Sequence, residues 1–244
     1  MGRITDTVKF LLILNVIFFI GSQFTGGIAE RLFALYYFEN PSFQFWQPLT
    51  SMFMHANFFH ILFNMYALWA FGSPLEIRWG QKKFLFFYFS AGLGSALIYT
   101  LVNYYQVHAG MDALLNAGMS QQQIMDLLST GSYNTSILEF VSQDTIQELY
   151  NTYNGMALGA SGAVYGVLVA FGMMFPNIEL MLIFLPIPIK AKYFIPGIIV
   201  LDLVFGITGT PTGIAHWAHV GGALFGFVMA WYWKKNSFDN HRWN

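Results

Sequence analysis

Residues 154–166 read N-G-M-A-L-G-A-S-G-A-V-Y-G. Ser161 stands between Gly159 and Gly162, with Gly155 and Gly166 at further helical spacings. The stretch lies in an uncharged run from 149 to 178. Such a run can cross a bilayer, which takes roughly 20 mostly apolar residues. A serine is thus placed near the mouth of a membrane helix. A lone serine there ordinarily back-bonds to a carbonyl or simply packs. Any other role requires a group that can take its proton.

The rest of the chain has the same character. Of its 244 residues, 56% are hydrophobic and 9% charged, against about 25% charged in a soluble domain. No Asp, Glu, Lys or Arg occurs in 10–29, 40–75, 84–111, 149–178 or 203–233. A sixth stretch, 193–208, is broken only by Asp202. The expectation is one all-α membrane domain over 1–244, with six transmembrane helices near 10–27, 56–73, 84–105, 156–174, 193–208 and 214–233. Span 1 reads as an uncleaved anchor, because no A-x-A-like cleavage site follows it. The absence of cysteine excludes disulfides, thiolate metal sites and a cysteine nucleophile. A net charge of −1 and the lack of a basic tract give no support for nucleic-acid binding.

Basic residues set the orientation. Six spans put 1–9, 74–83, 176–192 and the tail on one side, which then carries ten of the eleven Lys and Arg. The positive-inside rule makes that side cytoplasmic, so both termini face the cytoplasm of a cell (inner) membrane. The aromatic connection 28–54 and a polar insertion at 106–153 then lie outside. The insertion has five acids and no Lys or Arg. Met111–Met119, Gln121–Leu128 and Ile137–Tyr150 read as short amphipathic helices. Pro176–Lys192 reads as an irregular connection.

This topology brings polar groups to one outer depth. Ser161 falls about five residues into span 4, roughly 7 Å along a helix. His219 lies at a similar depth in span 6, and His60 and Asn64 in span 2. Hydroxyl, imidazole and amide together suit acyl transfer. Serine needs a base, and imidazole, whose reference pKa is close to working pH, makes His219 the candidate. His60 and Asn64, four residues apart, share a helix face and could donate to an oxyanion with the Ser161 backbone N–H. No acid is expected at this depth, so a Ser161–His219 dyad follows. Tyr165, one turn below Ser161, can stack on the His219 ring. Gly222 and Gly226 form G-x-x-x-G, and with the span 4 glycines they permit close helix packing. His55 reads as a structural or interfacial hydrogen-bonder. Asp202 is placed nearer the cytoplasmic half, in a structural hydrogen bond or a local packing role.

The chain resembles the rhomboid intramembrane serine proteases, in their bacterial six-transmembrane form. The residues that carry the resemblance are H-I-L-F-N at 60–64, G-A-S-G-A-V-Y at 159–165 and A-H-V-G-G-A-L-F-G at 218–226. E-I-R-W-G at 76–80 and Trp46 add to it, although Gln47 stands where the family's loop motif has arginine. The resemblance implies a six-transmembrane-helix rhomboid-like bundle with an outward-opening pocket. It implies Ser161 as nucleophile, His219 as general base, and His60, Asn64 and the Ser161 amide as oxyanion hole. It implies single-span transmembrane protein substrates cut near the outer face, with membrane lipid around the enzyme and no cofactor. Span 5 and the 208–213 turn would correspond to the family's gate and cap.

Two other classes are compatible with the residues. One is a non-catalytic, client-binding rhomboid-like protein that docks partners on the insertion. The other is a metal-binding transporter using His55, His60, His216 and His219. The second is disfavoured because no acid is expected to join the histidines. The sequence carries no signal for oligomeric state.

Overall fold

The computed structural model describes residues 3–182, 185–210 and 212–236. Pro211 of the expected cap turn and the tail beyond Asn236 lie outside these residues. The architecture is an all-α membrane bundle. Helix α1 (Asp6–Gln23) is followed by α2 (Ile28–Phe33), β1 (Leu35–Tyr36), α3 (Gln47–Thr50) and α4 (Phe58–Ala67). A π-turn at Leu68–Gly72 joins α4 to α5 (Ser73–Trp79). Pro74 has no N–H for the carbonyl four residues back, and the widened turn accommodates that loss. Then come α6 (Gln81–Asn116), α7 (Gln121–Thr130), α8 (Gln143–Asn154) and β2 (Met156–Ala157). The chain continues as α9 (Ser161–Met174), β3 (Glu179–Leu182), β4 (Leu185–Lys190), α10 (Ala191–Thr208) and α11 (His216–Asn236).

Among the described residues, three helices are long and apolar enough to cross a membrane: α1, α6 and α10. Helix α9 is apolar but only 14 residues long. Helix α6 runs 36 residues to Asn116, past 105 where the third span is expected to end. At 1.5 Å per residue that is about 54 Å, well beyond a hydrocarbon core of about 30 Å. Its outer part joins α7 and α8 in a second core of Val107, Leu114, Ile124, Leu127, Ile146 and Leu149. The insertion is therefore a packed unit whose first amphipathic segment is simply the end of α6. Residues 137–150 split into a 3₁₀ turn at Thr135–Glu139 and α8. The connection 176–192 is also more ordered than expected, with β3 and β4 paired antiparallel. Pro186 and Pro188, two apart, put their missing donors on one edge, which a two-stranded hairpin can leave unpaired.

Helices α9, α11 and α6 form the centre. Gly162 and Gly166 on α9 face Gly222 and Gly226 on α11 without intervening side chains. Around them pack Phe84, Phe87, Tyr88, Ala91, Val167 and Phe171, all nearly or fully buried. Helix α10 lies at the periphery. Only Ala191, Ile195 and Asp202 of its 18 residues are buried.

Candidate active site

The approach to Ser161 is built from extended chain rather than helix. Met156–Ala157 pair antiparallel with Leu35–Tyr36, and the Gly159 N–H donates to the Ser51 carbonyl at 2.9 Å. Gly159 has φ +129°, a conformation that favours glycine. Helix α9 then starts at Ser161 itself. The expected five helical residues before Ser161 are absent, because Gly155 and Gly159 belong to this strand and loop. The consequence is chemical. The Ser161 N–H lies in the first turn, where no preceding carbonyl of the helix accepts it, and the helix dipole favours negative charge there.

Ser161 and His219 come together from 58 residues apart: Nε2 of His219 is 2.9 Å from Ser161 Oγ. The Tyr165 ring lies over the His219 ring, with centroids 4.1 Å apart and planes 14° from parallel. Behind them, the Ser95 hydroxyl of α6 donates to the Ala218 carbonyl at 2.6 Å. That bond fixes the residue before His219, and the sequence offers no motif that points to Ser95.

The opposite wall is α4. Asn57 caps it by accepting the His60 N–H at 2.9 Å. The His60 ring abuts the backbone at Gly159: a β-carbon there would stand 2.8 Å from His60 Nε2 and 3.5 Å from Ser161 Oγ. Glycine at 159 thus leaves the space where imidazole and hydroxyl converge. Asn64 is buried, and one of its amide N–H groups donates to the His60 carbonyl at 2.9 Å. A primary amide has a second donor. His55 is fully buried, with its ring 5.1 Å from that of His60, and neither of its ring nitrogens has a hydrogen-bond partner.

The largest departure from expectation is Asp202. It lies two-thirds of the way along α10, nearer the end that leads into α11, and its carboxylate meets three donors. Oδ1 accepts from Nδ1 of His219 at 3.1 Å and from Nδ1 of His216 at 2.5 Å. Oδ2 accepts from the Tyr165 hydroxyl. His216 Nε2 is 2.6 Å from the Thr212 hydroxyl, which also accepts the Ile214 N–H. An acid therefore does stand beside His219, on the ring nitrogen opposite the one that meets Ser161. Donor counting then assigns the tautomers. With Nδ1–H of both histidines on the carboxylate, His219 Nε2 is left bare to accept the Ser161 proton. Asp202, His216 and His219 also present ligand atoms within 4.8 Å of one another, so an acid does join the histidine pair. In the structure those atoms are engaged in hydrogen bonds with each other, and His55 and His60 are not part of the group.

Comparison with known proteins gives one consistent result. The family model described as "Rhomboid domain" matches residues 42–141 and 131–236. The mitochondrial presenilin-associated rhomboid-like protein of Bos taurus is 32% identical over 83% of this chain. The human protein of that name is 31% identical over the same share. Rhomboid protease AarA of Providencia stuartii is 24% identical over 94% of the chain and 73% of its own length. The chain spans about two-fifths of the length of the mitochondrial relatives, 42% of the bovine protein and 41% of the human one.

Proposed function

This chain belongs to the rhomboid family, and we propose that within it the chain is an intramembrane serine endopeptidase that cuts single-span transmembrane proteins near the outer face of the membrane. One observation carries this reading: the Ser161 hydroxyl donates to a bare His219 Nε2 at 2.9 Å, within a packed helical bundle. Hydrogen-bond reach between nucleophile and base is the geometric requirement for an activated serine.

In this mechanism His219 takes the Ser161 proton as Oγ attacks the scissile carbonyl. The tetrahedral oxyanion develops beside the Ser161 N–H, the His60 ring and the free N–H of Asn64. His219 then gives its proton to the leaving amine, and the acyl-enzyme forms. Water, deprotonated by His219, attacks the ester and regenerates Ser161. Tyr165 stacks on the imidazole through both steps, and Gly159 keeps the approach open. The reaction needs no metal or organic cofactor.

The orientation inferred from the basic residues supplies the location: a multi-pass protein of the cell membrane, with six spans and cytoplasmic termini. Cysteine labelling checks it directly, since the parent has no cysteine. Asp126→Cys should react with an impermeant thiol reagent on intact cells, and Lys82→Cys should not; the reverse pattern inverts the topology.

The decisive experiment compares labelling by a fluorophosphonate probe in wild type, Ser161→Ala and His219→Ala, with cleavage of a single-span test substrate in parallel. Labelling and cleavage confined to wild type support the proposal. Cleavage that persists in Ser161→Ala overturns it. If folded wild type neither labels nor cleaves yet binds membrane helices, the client-binding alternative replaces it.

A further inference from the structure

Helix α10 has buried residues only near its inner end and at Asp202, with Ile198 and Ile199 half-buried against the core between them. At its inner end Ala191 and Ile195 are buried, and the Ile195 side chain packs at Gly172 of α9. At its outer half the only buried residue is Asp202. The surrounding residues Val200, Leu201, Val204 and Ile207 are 56%, 56%, 47% and 69% exposed. Between the two attachments stands Pro196, which removes one bond from the helical ladder. The outer half is therefore held by the three hydrogen bonds to Asp202, by the Phe205 ring against that of His216, with centroids 5.3 Å apart, and by the contact of Gly206 with Trp217. That contact is close: a β-carbon at 206 would lie 3.1 Å from the indole ring.

The same carboxylate orients His219. Stacking on Tyr165 sets the plane of the imidazole, but it does not choose which nitrogen faces Ser161. The Asp202–Nδ1 bond makes that choice. His216 does not touch Ser161; it binds the other side of Oδ1 and is itself held by Thr212 at the start of the segment leading into α11. A chain of bonds thus runs from the α10–α11 connection, through His216 and Asp202, to the base.

We propose that Asp202 is a positioning residue for His219 and that, because it is carried by α10, the seating of α10 on α11 decides whether His219 is aimed at Ser161. A membrane helix that displaces the outer half of α10 withdraws the carboxylate and leaves the base unaimed; reseating restores it. Turnover is thereby tied to closure of α10 behind the substrate. This inference rests on the serine-protease reading above.

A double-mutant cycle tests it, with the rate of fluorophosphonate labelling, kcat and KM on a single-span substrate, and thermal unfolding as readouts. Asp202→Asn keeps the size but cannot accept both imidazole N–H groups. It should lower kcat and the labelling rate by about 100-fold or more, toward the roughly 10,000-fold loss seen when a triad carboxylate is neutralised, with KM within about twofold. Gly206→Leu touches none of the reacting groups and wedges α10 away from Trp217. It should lower labelling about tenfold or more while the bundle stays folded. Combined, the two should fall no further than Asp202→Asn alone, because both remove the same bond. Wild-type labelling in folded Gly206→Leu overturns the coupling, as do falls that multiply in the double variant. Wild-type kcat in Asp202→Asn overturns the positioning role. If Asp202→Asn fails to fold, Gly206→Leu against Gly206→Ala carries the test: a graded loss supports the proposal and a flat response rejects it. Failure of the protease reading looks different, because wild type itself would neither label nor cleave.

Discussion

A β-carbon on Gly222 would stand 1.8 Å from the carbonyl oxygen of Gly162. The backbones of α9 and α11 are thus in direct contact one turn from Ser161 and His219. The obstacle is main chain, which no rotamer change can relieve. Gly222→Ala should therefore cost about 3 kcal/mol or more, the upper end for overpacking, and separate the two helices. Thermal unfolding in detergent checks the first effect and fluorophosphonate labelling the second. An unchanged melting temperature would show that the helices do not meet as described.

Asn64 has one N–H committed to the His60 carbonyl and one available to an oxyanion. Asn64→Ala should lower kcat about 100- to 1,000-fold, the usual loss for one oxyanion donor, with KM little changed. A loss that appears in KM, or follows from a lowered melting temperature, would assign Asn64 to packing.

Glu76 gives a pH dependence outside the membrane spans. Its buried carboxylate accepts the Thr5 hydroxyl at 2.5 Å and the N–H groups of Thr7 and Val8 at 3.0 Å, tying α5 to the start of α1. Burial would raise its pKa, but the hydrogen bonds from Thr5, Thr7 and Val8 outweigh it and hold the carboxyl below its ordinary 4.5. A depressed folded-state pKa means stability that is fully present above the unfolded value and lost as pH falls through the folded one. Acid unfolding of wild type should therefore steepen below about pH 4.5. Glu76→Gln should lose about 1.5–3 kcal/mol at neutral pH and flatten that dependence. Parallel acid curves for the two proteins would contradict the assignment.

Gln47 is fully buried in the 28–54 connection, where Oε1 accepts the Tyr36 N–H at 3.3 Å and Nε2 donates to the Ser42 carbonyl at 3.0 Å. The neighbouring Trp46 donates its indole N–H to Leu32. The position uses an acceptor as well as a donor, and arginine has no acceptor. Gln47→Arg, which matches the family motif, should therefore destabilise by about 1–3 kcal/mol and speed proteolysis within 28–54. A gain in stability would show that the position does not need an acceptor.

Much of the bundle could be read along the chain because its causes are local or periodic. Uncharged runs mark where most of α1 and α6 lies, and a stretch broken only by Asp202 marks α10. The four-residue spacing of His60 and Asn64, and of Gly222 and Gly226, assigns each pair to one helix face. The expected alternation of sides predicts a common depth for Ser161 and His219, and the two side chains stand 2.9 Å apart. Other features depend on backbone contacts that no local pattern reports. Helix α9 starts at Ser161 because β2 pairs with β1 more than 100 residues earlier in the chain. The continuation of α6 to Asn116 reflects packing against α7 and α8. Asp202 is the clearest case. Its sequence position marks an acid in a membrane segment, but depth along α10 says nothing of which neighbour it faces. That is set by how α10 lies on α11, through Gly206 against Trp217. Only there do an acid 14 residues before His216 and 17 before His219 meet both imidazoles on one oxygen, because hydrogen bonds need contact in space and side-chain chemistry alone cannot supply it.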